Sequence, residues 1–256
     1  MLTARDRIAA LPRRDNLAPI SAEASAAIAA MTARPSASIR NGIAALIGGL
    51  VRGGLWTKIE WLSLFTVHTE QAALLNLKSP GASLTKFGAP AFTALGGWIG
   101  SASDGLDGPA FSTCTLYSRD SAHLLAAAGG DGAANAAGEA GLYGPADYSY
   151  IVARTAGDQF VIKMHHASTA VAANSNGSGL YIANRSDSSA ISLYKIGQAP
   201  VSTSIASTAP AGTGTFYSAY TSRPAWAFGY GSSLTDADAA LYGRLLQSFF
   251  ATVRAR

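Results

Sequence analysis

Short hydrophobic runs that alternate with Gly, Ser, Asn and Asp dominate the chain from about residue 82 to residue 231. The runs are rich in β-branched and aromatic residues, and no helical pattern separates them. Strands that follow one another in this way are typical of an antiparallel sandwich. The sequence predicts strands at Ala110–Leu116, Tyr148–Arg154, Gln159–Met164, Gly179–Asn184, Ala190–Ile196, Thr215–Ser218 and Ala225–Tyr230.

Three segments between these runs have the composition of loops. Thr155–Asp158 and Asn174–Gly179 are short and rich in turn residues, so both are predicted to be hairpin loops. Ala126–Ala140 consists mostly of Ala and Gly, and side chains this small are expected to pack poorly. We therefore predict a long loop there.

Hydrophobic residues at helical spacing mark both ends of the chain. Ser21 is a predicted N-cap for a helix that runs to Met31, and Arg40–Leu50 predicts a second helix. Near the C-terminus, Thr235 and Asp238 have the spacing of a capping box. A further helical pattern precedes the strands and predicts a helical stem; it comprises Leu55, Trp56, Ile59, Leu62, Leu64 and Phe65.

The predicted fold is mainly β, an antiparallel sandwich with an N-terminal helical stem and a C-terminal helix. Residues 1–54 form a basic, Ala-rich helical docking segment, residues 55–80 the stem, and residues 81–256 the sandwich with its closing helix. The first segment has too few large side chains for a core of its own. It is expected to fold against a partner, a sister chain or the main domain.

Composition narrows the class of protein. Charged residues make up only 13% of the chain, whereas ordinary soluble domains carry about 25%. An uncharged polar surface suits an extracellular or particle-bound β-protein better than a cytosolic enzyme. Cys114 is the only cysteine, so no internal disulfide can form. No apolar run is long enough to span a membrane and no secretory signal pattern is present, which favours export by assembly into a particle released on lysis.

The net charge of +4 is concentrated at the N-terminus. Residues 1–54 hold seven arginines against three acidic residues, and the remaining chain balances twelve basic residues against twelve acidic ones. A basic arm can dock on an acidic protein surface or on nucleic acid. The arginines are scattered without aromatic residues among them, which favours a protein partner; the docking residues are predicted to be Arg5, Arg7, Arg13 and Arg14.

Four segments carry a resemblance to a known family. They are Leu55–Lys78, Pro90–Gly100, Ser192–Gly197 and Phe228–Tyr242, of which the first and last are the most specific. They resemble segments of phage and prophage virion structural proteins with a concanavalin-A-like (laminin-G-like) lectin domain. The resemblance covers residues 55–256 and implies a jelly-roll sandwich and a role on a virion or on a gene transfer agent. It supplies no catalytic residues.

Catalysis is not expected. A sandwich glycosidase needs two carboxylates about 5–9.5 Å apart. The chain has only four glutamates, Glu23, Glu60, Glu70 and Glu139, and three of them lie in or before the predicted stem. The sequence also lacks the Gly-x-Ser-x-Gly pattern of a nucleophilic serine.

Aromatic rings and hydrogen-bonding side chains in the β-region are the best candidates for a binding site. Sugars stack their C–H faces on aromatic rings, while amide, carboxylate and guanidinium groups bind the hydroxyls. The candidate carbohydrate-binding residues are Tyr143, Tyr148, His165, Asn184, Arg185 and Asp187. For the last three a plain turn is the alternative, and for His165 a histidine packed on its neighbours.

Two aspartates are candidate calcium ligands. Asp104 and Asp107 have the oxygen density of a calcium loop, and laminin-G-like sandwiches often hold calcium. Tight turns stabilised by Asp and Gly are the alternative. No other cofactor is expected.

Together these features predict a non-enzymatic spike or fibre protein on the surface of a phage-like particle, assembled in the host cytoplasm. It would bind host cell-surface polysaccharide, contact other virion proteins through residues 1–54, and form a homo-oligomer, without nucleic acid and without membrane insertion. A purely structural decoration or tail-assembly protein is the alternative, and a polysaccharide-degrading enzyme is less favoured.

Overall fold

The computed structural model describes residues 20–131, 138–143, 149–166, 168–208 and 214–254. The helices in these ranges are α1 Ala22–Ala29, α2 Ala37–Arg52, α3 Glu70–Leu74 and α4 Asp236–Arg254, with 3-10 turns at Leu55–Lys58 and Phe111–Thr113. The strands are β1 Ile59–Leu64, β2 Thr85–Phe87, β3 Ala91–Thr93, β4 Gly97–Ile99, β5 Gly105–Ala110, β6 Ala122–Ala128, β7 Ala140–Tyr143, β8 Ser149–Val152, β9 Gln159–Lys163, β10 Ala170–Ala173, β11 Gly179–Arg185, β12 Ala190–Lys195, β13 Val201–Ser204, β14 Thr215–Ser218 and β15 Ala225–Gly231.

The strands form two antiparallel sheets that pack as a sandwich, which confirms the predicted mainly β class. The first sheet has the order β13-β12-β11-β6-β15-β4-β3, and β1 also pairs with β15. The second sheet has the order β10-β9-β8-β7-β14-β5-β2. The buried hydrophobic side chains of both sheets and of the helices form one core.

The outer face of the first sheet is covered by α4. The side chain of Tyr242 lies over Gly229 of β15, and Gly243 lies against Ile196 after β12. Strands β6, β11 and β15 are therefore buried on both faces along most of their length. This explains their nearly continuous apolar sequences.

Helix α2 packs on α4 through a row of glycines. Gly42, Gly49 and Gly53 face Phe249, Leu245 and Leu241 respectively, and a Cβ atom at each glycine would lie within 3.1 Å of the opposing side chain. The missing side chains let the two helices approach closely. The described part of residues 1–54 thus packs on the C-terminal helix. This helix belongs to the main domain, which was one of the three packing surfaces expected for the segment.

The predicted helical stem is wrong. Residues 59–64 form strand β1, which pairs with β15, and the only α-helix between residues 55 and 80 is the short α3. Strand β1 is buried on nearly every residue. A short apolar run of this kind fits a buried helix and a buried strand equally well.

Other predictions of local structure also need correction. The predicted loop Ala126–Ala140 begins inside β6, where Ala side chains fit a strand covered on both faces. Strand β5 ends at Ala110, where the strand Ala110–Leu116 was predicted to begin. The segment Asn174–Gly179 joins β10 of one sheet to β11 of the other and is no hairpin, whereas Thr155–Asp158 does join the paired strands β8 and β9.

The capping predictions are confirmed. The Ser21 hydroxyl accepts a hydrogen bond from the Ala24 amide, 3.2 Å away. At the start of α4, the Asp238 amide donates to the Thr235 hydroxyl at 3.2 Å, and the Thr235 amide donates to the Asp238 carboxylate at 2.9 Å. Lys58 forms an ion pair with the same carboxylate at 2.6 Å.

A buried ion pair joins Glu139, just before β7, to Arg223, just before β15. The exposed side-chain fractions are 1% and 3%. The second carboxylate oxygen of Glu139 accepts a hydrogen bond from the Ala153 amide at 2.6 Å. Burial raises the pKa of Glu139, and Arg223 opposes that shift. The pair connects the second sheet to the segment that leads into the first.

Removing one member of this pair should destabilise the fold strongly. In Arg223→Met the Glu139 carboxylate remains buried without its cation, and the free energy of unfolding at pH 7 should fall by about 3–5 kcal/mol. The double variant Arg223→Met/Glu139→Leu should lose less than the single variant, since no charge remains buried. Urea unfolding measures both; a single variant within 1 kcal/mol of the parent would contradict the assignment.

Candidate functional site

The outer face of the second sheet carries a row of paired residues. Strand register aligns Asp107, Tyr217, Gly141, Tyr150 and Lys163 across β5, β14, β7, β8 and β9. Their neighbours along each strand point into the core because successive side chains alternate between faces; these buried neighbours are Leu106, Phe216, Leu142, Ile151 and Ile162.

Aromatic rings lie along this face from β2 to β8. Phe87 of β2 is 52% exposed and stacks on Tyr220, with ring centroids 6.1 Å apart and an interplanar angle of 29°. Tyr220 in turn contacts Tyr217 edge to face, with centroids 5.5 Å apart. We call Phe87, Tyr220, Tyr217 and Tyr150 the aromatic platform.

Two glycines make room for the platform. The ring of Tyr220 lies over Gly105, and the phenol of Tyr217 lies over Gly141, each in the space that a Cβ atom would need. The rings can therefore lie against the sheet rather than stand away from it. Four steps of about 4.8 Å between neighbouring strands separate β2 from β8, so the platform is about 19 Å long. This length suits an extended oligosaccharide rather than a single sugar.

Polar groups orient the platform rings. The Tyr220 hydroxyl donates to the Asp107 carboxylate at 2.8 Å. Burial and the Asp107 charge raise the pKa of Tyr220, so its phenol stays protonated and keeps this bond at neutral pH. Burial also raises the pKa of Tyr150. The platform thus combines uncharged aromatic faces with the carboxylate of Asp107, groups that can contact the C–H face and the hydroxyls of a sugar.

Tyr143 lies beside the platform. It follows Gly141 by two positions on β7, so it points outward from the same face, and it is 65% exposed. Its neighbour across the sheet is Thr215 of β14. The second predicted tyrosine, Tyr148, lies outside the described residues.

Asn184 and Arg185 are buried, so the prediction that they bind sugar is wrong. Asn184 is 2% exposed and bonds both backbone groups of Leu234, at 3.1 Å and 2.8 Å, which fixes the approach to α4. Arg185 is fully buried and donates to the carbonyl oxygens of Met164 and Ile205 at distances of 2.8–3.2 Å. Both side chains satisfy backbone groups and face no solvent.

The contacts of Asp187 and His165 also serve the fold. The Asp187 carboxylate accepts the amides of Ser189 and Ala190 at 2.7 Å each, and these bonds lower its pKa. It therefore closes the turn between β11 and β12, the alternative noted for this residue. His165 is fully buried in contact with Tyr117 and Phe111, so its predicted sugar-binding role is wrong.

The calcium candidates are occupied by protein donors. Asp104 accepts from the Ala89 amide at 3.0 Å and from the Ser101 hydroxyl at 2.6 Å, and Asp107 accepts from Tyr220. Within the described ranges, no three His, Cys, Asp or Glu side chains come together as a metal site. The residues present fit turns and ring orientation better than a calcium ion.

Two of the four glutamates are committed to the fold. The Glu60 carboxylate accepts the backbone amides of Thr115, Leu116 and Tyr117 at 2.5–3.0 Å. Glu139 forms the buried ion pair described above. Glu70 pairs with Lys86 at 2.7 Å on the surface.

The predicted docking residues Arg5, Arg7, Arg13 and Arg14 lie outside the described residues. Within the ranges that the structure describes, no helix is both long and apolar enough to cross a membrane.

Comparison with known proteins supports the fold alone. No protein-family model and no curated protein matches the chain. Among solved structures, domain 4 of AbnA, a GH43 extracellular arabinanase from Geobacillus stearothermophilus solved with arabinotriose, is similar over 72% of this chain and 100% of that domain, with 11% identity and a TM-score of 0.52. Trypanosoma rangeli sialidase, solved with sialic acid, aligns with 75% of this chain and 33% of that protein, at 12% identity and a TM-score of 0.47.

His165 should make the fold sensitive to acid. Neither ring nitrogen has a hydrogen-bond partner among the described residues, and burial followed by the nearby Arg185 charge lowers the pKa of His165 to about 4. The unfolded chain therefore takes up a proton below about pH 6.5 while the folded chain does not. Stability should fall as the pH drops from 6.5 towards 4, by on the order of 3 kcal/mol from this residue.

Urea unfolding of His165→Phe at pH 7 and pH 4.5 measures this effect. The variant should lose less stability between the two pH values than the parent does. His166→Phe, at the adjacent and partly exposed position, is the control and should keep the pH dependence of the parent. Equal pH dependence in parent and His165→Phe would show that this imidazole is not the acid-sensitive group.

Proposed function

We propose that this chain is a non-catalytic carbohydrate-binding protein with a concanavalin-A-like jelly roll, and that the aromatic platform holds an extended glycan. The observation that carries the proposal is the continuous contact of the Phe87, Tyr220 and Tyr217 rings on an outer sheet face. Glycines beneath Tyr220 and Tyr217 let these two rings lie against the strands. Rings that lie against a sheet offer broad apolar faces to sugar C–H groups. Tyr143 extends the same face.

Two further observations support sugar binding. The Asp107 carboxylate lies within the row of paired residues, where it could accept hydrogen bonds from sugar hydroxyls. The arabinanase domain that shares the fold was solved in complex with arabinotriose. We extend sugar binding to this chain as a proposal, since likeness at this level of identity concerns the fold.

We further propose that the protein is a spike or fibre at the surface of a phage-like particle and attaches it to host polysaccharide. The resemblance to phage structural proteins supports this, and its two most specific segments include β1 and the last four residues of β15, which pair with each other. Many copies on one particle would convert weak single-site binding into firm attachment. The N-terminal segment would dock on other virion proteins.

A structural decoration or tail-assembly role is the second candidate, and one observation favours it. Strand β13 is an edge strand, exposed on all four residues, and its sequence Val-Ser-Thr-Ser carries no charge. Charged residues commonly protect such edges from pairing with other chains. An unprotected edge could add a strand from another virion protein.

Removing a platform ring should weaken glycan binding. Phe87→Ala should lower affinity for a bound capsular or cell-wall oligosaccharide about three- to tenfold, as expected for the loss of one stacking ring, and Phe87→Ala/Tyr143→Ala should lower it further. A glycan array identifies the ligand, and calorimetry measures the affinity. Ile99→Ala, which removes an exposed side chain from β4 of the other sheet, is the control.

The same preparations distinguish the alternatives. Binding that is equal in the parent and in both platform variants would place the sugar elsewhere. Absence of binding to any glycan, together with retention on purified particles, would favour the decoration role. Release of reducing ends from a bound polysaccharide would contradict the non-catalytic assignment.

Deleting residues 1–19 should impair docking without unfolding the sandwich. The deletion removes Arg5, Arg7, Arg13 and Arg14 and leaves α1, α2 and their contacts in place. Incorporation into particles should fall at least about threefold while glycan affinity stays unchanged. Quantitative blotting of purified particles measures this, and full incorporation of the shortened chain would exclude the arm as the anchor.

A further inference from the structure

A groove opens where the two sheets end side by side. Strand β10 is the edge of the second sheet, and β12 and β13 lie at the edge of the first. The groove has a volume of about 250 Å³ and adjoins a second hollow of about 270 Å³. Its apolar walls include Phe160, Leu193 and Val201, and both hollows share Asn174, Lys195 and Gln198.

The ammonium of Lys195 is held in place at this groove. Its Nζ lies 2.6 Å from the Asn174 side-chain oxygen and 2.8 Å from the Asn176 carbonyl oxygen. Asn174 is itself only 4% exposed and donates to the Ala153 carbonyl and to the Tyr181 hydroxyl. The cation is therefore positioned by a buried amide, and two of its three N–H groups are engaged.

This cation lacks an anion at contact distance in the described part of the chain. Asp158, which lines the second hollow, pairs with Arg154 at 2.7 Å. Asp131 acts on Lys195 from farther away, and its carboxylate bonds Arg154 and the Gly177 amide. Burial lowers the pKa of Lys195, which indicates a partly desolvated charge that an incoming anion would stabilise.

We propose that this groove binds the carboxylate of an acidic sugar, such as a uronic-acid residue of a polysaccharide. The third N–H of Lys195 and the Gln198 amide would bind the carboxylate, while Val201, which is 41% exposed, would contact the C–H face of the ring. One ammonium with neutral amides matches a single negative charge. A phosphate would need a second cation, and Arg154 is already paired with two aspartates.

The inference rests on the proposed sugar-binding function and names a second site with its class of ligand. The groove differs from the aromatic platform in position and in chemistry, because the platform relies on ring stacking and the groove on one fixed cation. The two sites can therefore be tested separately.

Titration of the whole chain with glucuronate, followed by protein NMR, tests the groove. Glucuronate should shift the signals of residues 173–176 and 195–198, and glucose should bind about tenfold more weakly because it lacks the charge. Glucose 6-phosphate should bind no better than glucuronate. Equal binding of glucuronate and glucose, or no binding of glucuronate, would overturn the proposal.

Two variants and a matched control assign the effect to Lys195. Lys195→Met should weaken glucuronate binding about tenfold, and Gln198→Ala, which leaves the Asn174 contacts intact, should weaken it about threefold. The control is Lys86→Met, the same substitution on β2. Strand β2 is the edge of the second sheet opposite β10, so this variant should leave binding unchanged. Retained affinity in Gln198→Ala and in a folded Lys195→Met would overturn the assignment.

Phe87→Ala separates this proposal from the proposed function. It should leave glucuronate binding unchanged while weakening the neutral oligosaccharide. If neutral glycans fail to bind the parent protein but glucuronate shifts the groove signals, the platform proposal fails and the groove stands. If Phe87→Ala abolishes the glucuronate shifts, the acidic sugar binds on the platform and the groove proposal fails.

Discussion

The fold depends on covering the first sheet on both faces. Its inner face packs on the second sheet, and α4 lies across its outer face, where Tyr242 and Gly243 approach the strands closely. Apolar burial of this extent is the main favourable contribution to folding. It also leaves the outer face of the second sheet, and the edges where the sheets meet, as the surfaces open to ligands. The aromatic platform and the Lys195 groove lie on these two surfaces.

Part of the fold was predictable from the hydrophobic pattern. The strands that were missed are of two kinds: strands covered on both faces, such as β1 and β6, and short exposed strands, such as β2 and β13. Strand Thr215–Ser218 was predicted with its observed bounds, and the Thr235–Asp238 capping box was recognised because its chemistry is local. Strands β1 and β6 were missed for a shared reason. Both are covered on two sides, so their sequences lack the alternation that marks a half-exposed strand.

The candidate site was predictable only in part, since side-chain type does not reveal which way a residue points. Asn184 and Arg185 have the hydrogen-bonding groups of a sugar site, but β11 lies inside the sheet and turns them towards backbone partners. Tyr217 could have been placed outward by alternation from Phe216 within a correctly predicted strand. Its association with Phe87 depends on the pairing of β2, β5 and β14, which the sequence does not disclose.

The pairing of β1 with β15 has a consequence for synthesis of the protein. Strand β15 also pairs with β6, so the middle of the first sheet joins residues 59–64 and 122–128 to residues 225–231. Contacts between segments so distant in sequence form slowly, and they require the later segment to be available. During translation the first sheet therefore cannot close until nearly the whole chain has left the ribosome. The apolar strands made earlier remain uncovered until then, and cellular chaperones would have most opportunity to act on the chain in that interval.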